Sequence, residues 1–368
     1  MEEKLVTLAI HSYDRAIILK SLLESEGIEA YIHNVNILIP QSSEGVRVRI
    51  KESDLSKALS AIESSTFKGD TVNVAEPLLL IPVDFSPYSL RACKLGFYMA
   101  KELGAKVVIA HIYYIPFIPI SLSVNDMIPV FARAEIDLDN KKALRYAEKG
   151  MDVLVKEIKV LQESGELPQV DYSTLIREGT PEEGIVQLGK ELNPTLIVMG
   201  TRGAAAREDT LLGSVTAEVI EQSKQKILAV SKDAPLKMLK NINNIAYATN
   251  FDDRALLAFD DLVRLMGERR ITYTIVHFDD KKSNPKDEKR LEIMTKYLAI
   301  KYPAVPINYR LVATNNLLAD LNDFLEKESI DLLSITTHKR NPFSKLLYSS
   351  FASKMLFCSK IPILVVRA

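Results

Sequence analysis

The sequence predicts an α/β protein: two doubly wound, mostly parallel five-stranded sheet domains after a small α+β unit resembling half of a ferredoxin-like fold. Three observations predict it. From Leu78 onward, short apolar runs alternate with helical stretches, the order that produces strand–helix–strand units. The apolar runs are nearly continuous rather than alternating, as in parallel strands covered on both faces. The alternation then starts again, with matching residues at a shared numerical offset, so the unit is repeated.

Residues 1–65 form the small unit. Leu5 to Ile10 reads as a strand, and Tyr13 to Glu26 as an amphipathic helix stopped by Gly27. Ala30-Tyr31-Ile32 is a short strand, Gly45 to Ile50 a half-buried one, and Asp54 to Ile62 a second helix. The βαββα order suggests a two-layer plait. Residues 66–77 are a linker, polar where Gly69, Asp70 and Asn73 stand. The first large domain spans 78–235. Its strands are Leu78 to Ile81, Lys106 to His111, Val170 to Ile176, Leu196 to Met199 and Ile227 to Val230. Its helices include Ser89 to Leu103, Lys141 to Glu163 and Val215 to Ser223.

The second large domain spans 240–368. Asp84-Phe85 and Asn250-Phe251 differ by 166 in number, as do His111 and His277. Further on, an offset of 136 relates Leu196-Ile197 to Leu332-Leu333, Leu211 to Leu347, Ser214 to Ser350, Ser223 to Ser359 and Leu228 to Leu364. The drop of 30 between these offsets means that the second copy lacks much of the segment between its second and third strands.

The chain has 368 residues, 47% hydrophobic and 26% charged, the composition of an ordinary globular protein. A formal net charge of −1 supplies no global field for nucleic acid or membrane. The longest apolar stretch, Tyr113 to Ala132, is broken by Pro116, Pro119, Asn125, Asp126 and Pro129, so it is a poor membrane span. The acidic start lacks an apolar export segment. The expectation is a cytoplasmic protein without a membrane span. Cys93 and Cys358 lie in predicted helices and read as small buried residues rather than a redox or metal pair.

One stretch carries candidate chemistry. Gly200-Thr201-Arg202-Gly203, nine residues and then Gly213-Ser214 join a buried strand to a helix. Glycines admit close approach of a ligand to the backbone. A helix start offers N–H donors and partial positive charge to a phosphate, and the hydroxyls of Ser214 and Thr216 add hydrogen bonds. The other reading is a tight loop with a serine N-cap. The second copy decides between them at this level. There Gly200, Gly203, Gly213 and Ser214 correspond to Thr336, Lys339, Ser349 and Ser350, so the spacing survives without glycines. Pro82-Val83-Asp84 becomes Ala248-Thr249-Asn250. Loss of the glycines with the scaffold kept favours a ligand role in the first copy. Asp84 also suits a turn or cap. His111 and His277 occur in both copies and therefore read as structural. His338 beside Lys339 and Arg340 reads as a polar loop.

Leu80 to Ser86, His111-Ile112-Tyr113 and Val198 to Thr216 resemble a universal stress protein of the ATP-binding type, whose signature is G-x-x-G, nine residues, then G followed by Ser or Thr. The second copy resembles a degenerate, non-binding universal stress domain, and the pair resembles a tandem universal stress protein. Residues 1–65 resemble a small prokaryotic signal-transducing domain through Leu22 to Ile28 and Val46-Arg47-Val48. The resemblance implies the adenine nucleotide α-hydrolase-like fold, with ATP or a related adenine nucleotide at the carboxyl ends of the strands. On matching positions it implies that Pro82, Val83 and Asp84 line the adenine and ribose region and that Ile112 packs on the base. Met199 and Gly200 would lie along the nucleoside. Gly203, Gly213, Ser214, Val215 and Thr216 would contact phosphates, which would carry Mg²⁺ or Mn²⁺. Arg202 and Arg207 would neutralise charge or simply be solvated.

The implied function is ATP-dependent regulation in a stress response, with an unknown protein partner. The last strands, Ile227 to Val230 and Ile363 to Val366, would pair within the chain as a pseudo-dimer, leaving homodimerisation open. The alternatives are a slow ATPase or phosphotransferase, or a scaffold for another small molecule with Tyr113 to Ala132 as lid or contact. The loop lacks the lysine of G-x-x-x-x-G-K-[ST], and the sequence fixes no general base.

Overall fold

The computed structural model describes residues 5–11, 13–33, 46–64, 76–114, 130–203, 213–236, 242–249, 255–267, 269–279, 285–314, 317–337 and 361–367. Two compact groups emerge. One holds residues 1–75 with 251–257 and 286–304, and the other holds 76–250 with 258–285 and 305–368.

In the first group, β1 (Leu5–His11), α1 (Tyr13–Ser25), β2 (Ala30–His33), β3 (Val46–Lys51) and α2 (Leu55–Ser64) follow the expected order. Strand β3 lies between β1 and β2 and is antiparallel to both. Gly27, at φ 71°, ends α1 by taking the left-handed conformation that glycine adopts without strain. Ile28 N–H then reaches back to Leu23 O at 2.9 Å. Leu8, Leu19, Leu23, Ile28, Val48 and Ile50 close a core between sheet and helices.

The second group contains one ten-stranded sheet. Its first half comprises β4 (Leu78–Pro82), α3 (Pro87–Leu103), β5 (Lys106–Tyr113), α4 (Val130–Glu163), β6 (Tyr172–Glu178), α5 (Pro181–Leu192), β7 (Leu196–Gly200), α6 (Ser214–Gln222) and β8 (Ile227–Val230). The elements that follow in the chain are β9 (Asn244–Ala248), α7 (Ala255–Met266), β10 (Thr272–Asp279), α8 (Pro285–Lys301), β11 (Ile307–Ala313), α9 (Leu317–Lys327), β12 (Leu332–Thr337) and β13 (Ile363–Arg367), of which α8 from residue 286 and the start of α7 belong to the first group. The strand order is β11-β10-β9-β12-β13-β8-β7-β4-β5-β6, so each run of five has the same internal order.

The sequence predicts two five-stranded sheets. The structure joins them, because β8 and β13 pair antiparallel, while every other neighbouring pair in this sheet is parallel. The register sets Leu228 opposite Leu364, Ala229 opposite Ile363 and Ile227 opposite Val365. Leu228 and Leu364 are also the residues that the 136 offset equates, so a local two-fold axis passes between them. This pairing removes two sheet edges that would otherwise invite association.

Several boundaries move. Helix α3 starts at Pro87 because Ser86 caps it: Ser89 N–H donates to Ser86 Oγ at 3.3 Å, and proline at the first helical position needs no donor. Strand β6 sits two residues later than predicted, in register with Val107 of β5 at Tyr172. Helix α4 takes in Val130 to Ala132, the end of the apolar stretch; residues 115–129 lie outside the described residues. Ser223 is the C-cap of α6, not part of it. Cys93 is buried in α3, and burial pushes its thiol up to about 12, so it stays neutral and unreactive. Cys358 lies outside the described residues.

Leu228 and Leu364 are almost fully buried at the join. Each Leu→Ala change is expected to cost about 2–5 kcal/mol. The double variant should deviate from additivity by about 0.5 kcal/mol or more, as for residues in contact. Denaturant unfolding of the four proteins measures both effects.

Candidate functional site

Strand β4 has β5 on one side and β7 on the other. The chain runs from β4 through α3 to β5 on one side and later crosses from β6 through α5 to β7 on the other, so the strand order reverses at β4, the switch point at which doubly wound sheets open a crevice. A cleft of about 540 Å³ is found there. It is lined by Pro82, Val83, Asp84, Ile112, Met199, Gly200, Arg202, Gly203, Gly213, Ser214, Val215 and Thr216, together with Ser89, Ala110, Pro181 and Ile185. The structure thus brings all twelve of the candidate residues to one place. Arg207, His338, Lys339, Asn250, Ser349 and Ser350 lie outside the described residues.

The first wall is the turn after β4. Val83 N–H donates to Ala110 O at 2.8 Å, extending the strand pairing by one residue. Asp84 N–H donates to Ser89 Oγ at 3.2 Å. Ser86 donates twice to Asp84 Oδ1, from its backbone N–H at 3.1 Å and from its hydroxyl at 2.6 Å. One carboxylate oxygen therefore holds the turn, as the cap reading of Asp84 requires. The other, Oδ2, faces Gly203, where an added Cβ would stand 2.7 Å from it. Between these residues Phe85 adopts φ 62°, a left-handed conformation rare for a bulky side chain and costing on the order of 1–3 kcal/mol.

The second wall is the glycine loop. None of Gly200, Gly203 and Gly213 has positive φ, so their value lies in the missing Cβ. At Gly200 a Cβ would be 2.9 Å from the backbone carbon of Tyr88 and 3.0 Å from the nitrogen of Ser89. This corrects the sequence argument in part: Gly200 has a packing reason of its own, the contact between β7 and the start of α3. At Gly213 the nearest atoms to a Cβ would be 3.4 Å and farther, ordinary contact distances. Thr201 N–H donates to Val230 O, and Gly213 N–H donates to Thr201 O, both at 2.9 Å, which ties the two ends of the loop together.

Helix α6 starts here. Gly213 is its N-cap and has no side chain to cap the first turn, so the N–H groups of Ser214, Val215 and Thr216 are the orphan donors of a helix start. Thr216 is a second correction. Its hydroxyl donates to Gly200 O at 2.7 Å and the residue is buried, so it pins the loop rather than offering a hydroxyl to a ligand. Ser214 is exposed. Arg202 is held at the rim: its Nη1 donates to Tyr88 Oη at 3.4 Å, and its guanidinium lies 5.8 Å from the Tyr88 ring centroid.

The floor is apolar, formed by Ala110, Ile112, Ile185 and Met199, all buried. Pro181 and Ile185 belong to α5, which sequence reasoning did not assign to the site. The signal was present in Gly179-Thr180-Pro181, a helix start after a strand on the same sheet edge. Gly184 lets α5 approach, since a Cβ there would be 2.8 Å from Ile112 Cγ1.

The two histidines make the same bond in both halves. His111 Nδ1–H donates to Val83 O and His277 Nδ1–H to Thr249 O, each at 2.7 Å; a carbonyl only accepts, so the proton lies on Nδ1. Thr249 N–H also repeats the Val83 bond, donating to Val276 O at 3.0 Å. These are structural histidines. Among the described residues, no group of three or more His, Cys, Asp or Glu side chains is placed to hold a metal ion. No helix among them is long and apolar enough to cross a membrane.

The universal stress protein family matches residues 78–231. A universal stress protein of Methanocaldococcus jannaschii is 32% identical over 154 residues, 42% of this chain and 81% of that protein. One from Bacillus subtilis is 28% identical over 153 residues, 41% of this chain and 97% of that protein. Among solved structures, a universal stress protein from Archaeoglobus fulgidus covers 79% of this chain and 96% of its own. Its TM-score is 0.52 at 16% identity, a likeness of fold.

Gly200→Ala is expected to destabilise the protein by about 1–3 kcal/mol through overlap with Tyr88. Gly213→Ala should stay within about 1 kcal/mol of the parent, because a poorer N-cap and a less flexible unfolded chain oppose each other. Thermal melting of the two variants distinguishes a packing glycine from an open one.

Proposed function

The chain belongs to the universal stress protein family, and on that premise we propose that it is a regulatory protein that binds one adenine nucleotide, ATP, in the cleft beside β4. The observation that carries this reading is the polarity of the cleft. Its lining combines apolar side chains, among them Val83, Ile112, Ile185 and Met199, with the start of α6 and Arg202. A ligand matching both has an apolar ring and anionic oxygens. Its volume falls within the usual range for small-molecule sites, roughly 300–1,000 Å³. Asp84 Oδ2 is the acceptor placed for ribose hydroxyls or the base, and the N–H groups of Ser214, Val215 and Thr216 are the donors placed for phosphate.

In this reading Mg²⁺ or Mn²⁺ arrives on the phosphates. Asp84 is the one carboxylate among the described lining residues, and its Oδ1 already accepts two hydrogen bonds from Ser86. That donor set suits a cation held by phosphates and water better than a protein cage. Residues 78–235 and 240–368 are then tandem universal stress domains, joined through β8 and β13 as a pseudo-dimer, and the second is the non-binding copy. Its Thr336 places a side chain at the position of Gly200. Residues 1–65, with their split β1–α1–β2 crossover, serve as a half-ferredoxin accessory module for a protein partner.

Mass spectrometry of the nucleotide released on denaturing the purified protein tests the reading, together with titration by ATP. The expected result is an adenine nucleotide near one equivalent per chain. Gly213→Val should keep its fold and lose binding by about tenfold or more, because its side chain fills the approach to the helix start. Full ATP binding in that variant, or none in the parent, overturns the proposal.

A further inference from the structure

Phe85 follows Asp84 in the turn that forms one wall of the cleft, and is not itself among the described lining residues. The residue before it and the residue after it are both tied down: Asp84 N–H donates to Ser89 Oγ, and Ser86 donates twice to Asp84 Oδ1. Its ring centroid lies 4.5 Å from that of His111, with the planes inclined by 32°. His111 in turn is fixed by its bond to Val83 O. The edge of the Phe85 ring meets α4 at Gly150. A Cβ added there would stand 2.5 Å from Phe85 Cε2 and 2.8 Å from both Cδ2 and Cζ. Glycine is unfavourable inside a helix relative to alanine, and α4 has well-packed neighbours at this point, with Ala147, Met151 and Leu154 all buried. The ring therefore supplies a steric reason for the glycine.

The geometry points to Phe85 as a positioning residue of the cleft: its ring, seated between His111 and the Gly150 notch of α4, holds the left-handed turn that aims Asp84 at the ligand. The inference rests on the nucleotide reading above and adds a control to it. None of the described lining residues belongs to helix α4, yet through Gly150 it sets where Phe85, and with it the Asp84 carboxylate, stands. The ring cannot leave the notch without leaving His111 or turning the strained backbone. A displacement of α4 against this turn is thus felt at the ligand.

Three variants and two readouts test this. Gly150→Ala should push the ring out and weaken ATP binding by about tenfold, an effect of the usual size for overpacking. Gly150→Ala with Phe85→Leu should recover most of that loss, because the shorter side chain clears the new methyl. Phe85→Gly can enter the left-handed turn without strain but has no ring to hold it there, so its melting temperature should stay near the parent while its ATP affinity falls. The second readout needs no nucleotide: hydrogen exchange at the Ser86 amide, which donates to Asp84 Oδ1, should accelerate in Gly150→Ala and Phe85→Gly. Parent-like ATP affinity in both of these variants overturns the positioning role and leaves the nucleotide reading standing. If the parent binds no ATP, the nucleotide reading fails. The Ser86 amide then decides alone: unchanged exchange in both variants overturns the role of Phe85, and faster exchange upholds it.

Discussion

The approach of β7 to the first turn of α3 sets the rest of the site. At Gly200 there is no room for one more carbon against Tyr88 and Ser89. That contact brings the end of β7 beside the turn after β4, at the point where the strand order reverses. Gly200 O then receives the Thr216 hydroxyl, and Thr201 O receives Gly213 N–H. These two bonds bring the chain back to the same spot and start α6 there with its donors aimed at the crevice. A side chain at position 200 would separate β7 from α3 and move the anchors of α6 with it. The packing of two elements and the geometry of the candidate ligand cradle are therefore one constraint.

The two halves of the sheet separate what is scaffold from what is site. Val83 and Thr249 make the same backbone bond to the neighbouring strand, and each receives a histidine N–H on its carbonyl. These bonds fix how the first strand of each half ends, and they recur whether or not glycines follow. The difference at Gly200 and Thr336 lies one step beyond, where β7 and β12 end. A packing role for Gly200 does not remove its value for a ligand. The close approach that excludes a Cβ also keeps the carbonyl and amide groups of the loop near the crevice, and residues 203 and 213 have no comparable backbone contact to explain them.

Much of this was legible in the sequence because it depends on periodicity and spacing. Apolar runs located the strands, and the shared offset that equates Leu228 with Leu364 anticipated the register in which those two residues meet. The glycine loop was readable because glycine spacing marks loops at the ends of strands, whereas Pro82, Val83, Asp84, Ile112 and Met199 joined it only through the family resemblance. The remainder depended on approach in three dimensions. Nothing in the sequence around Gly150 distinguishes a helix glycine that receives a ring from one that does not. The contribution of Pro181 and Ile185 follows from β6 lying beside β5, a non-local pairing. Thr216 looked like a ligand hydroxyl because sequence gives the residue type but not the direction of its proton. Helix α4 extended beyond its predicted start because prolines at 116, 119 and 129 marked a break whose end the pattern could not fix.

Several polar side chains in and beside the cleft are tied into its walls. Asp84 and Arg202 are the ionisable side chains among its described lining residues. One oxygen of Asp84 accepts both hydrogen bonds from Ser86. A general base must be free to take up a proton and release it again, and taking one up at Oδ1 would set the acid against two donors already in place. His111, the nearby imidazole, has Nδ1 bound to Val83 O and its ring against Phe85. The Thr216 hydroxyl donates its hydrogen bond to Gly200 O. Among the described residues, Asp84 Oδ1, His111 Nδ1 and the Thr216 hydroxyl thus keep the walls in position. Such a site responds to a ligand through the placement of its walls, and the wall with the longest reach is the one that runs from Asp84 through Phe85 to α4.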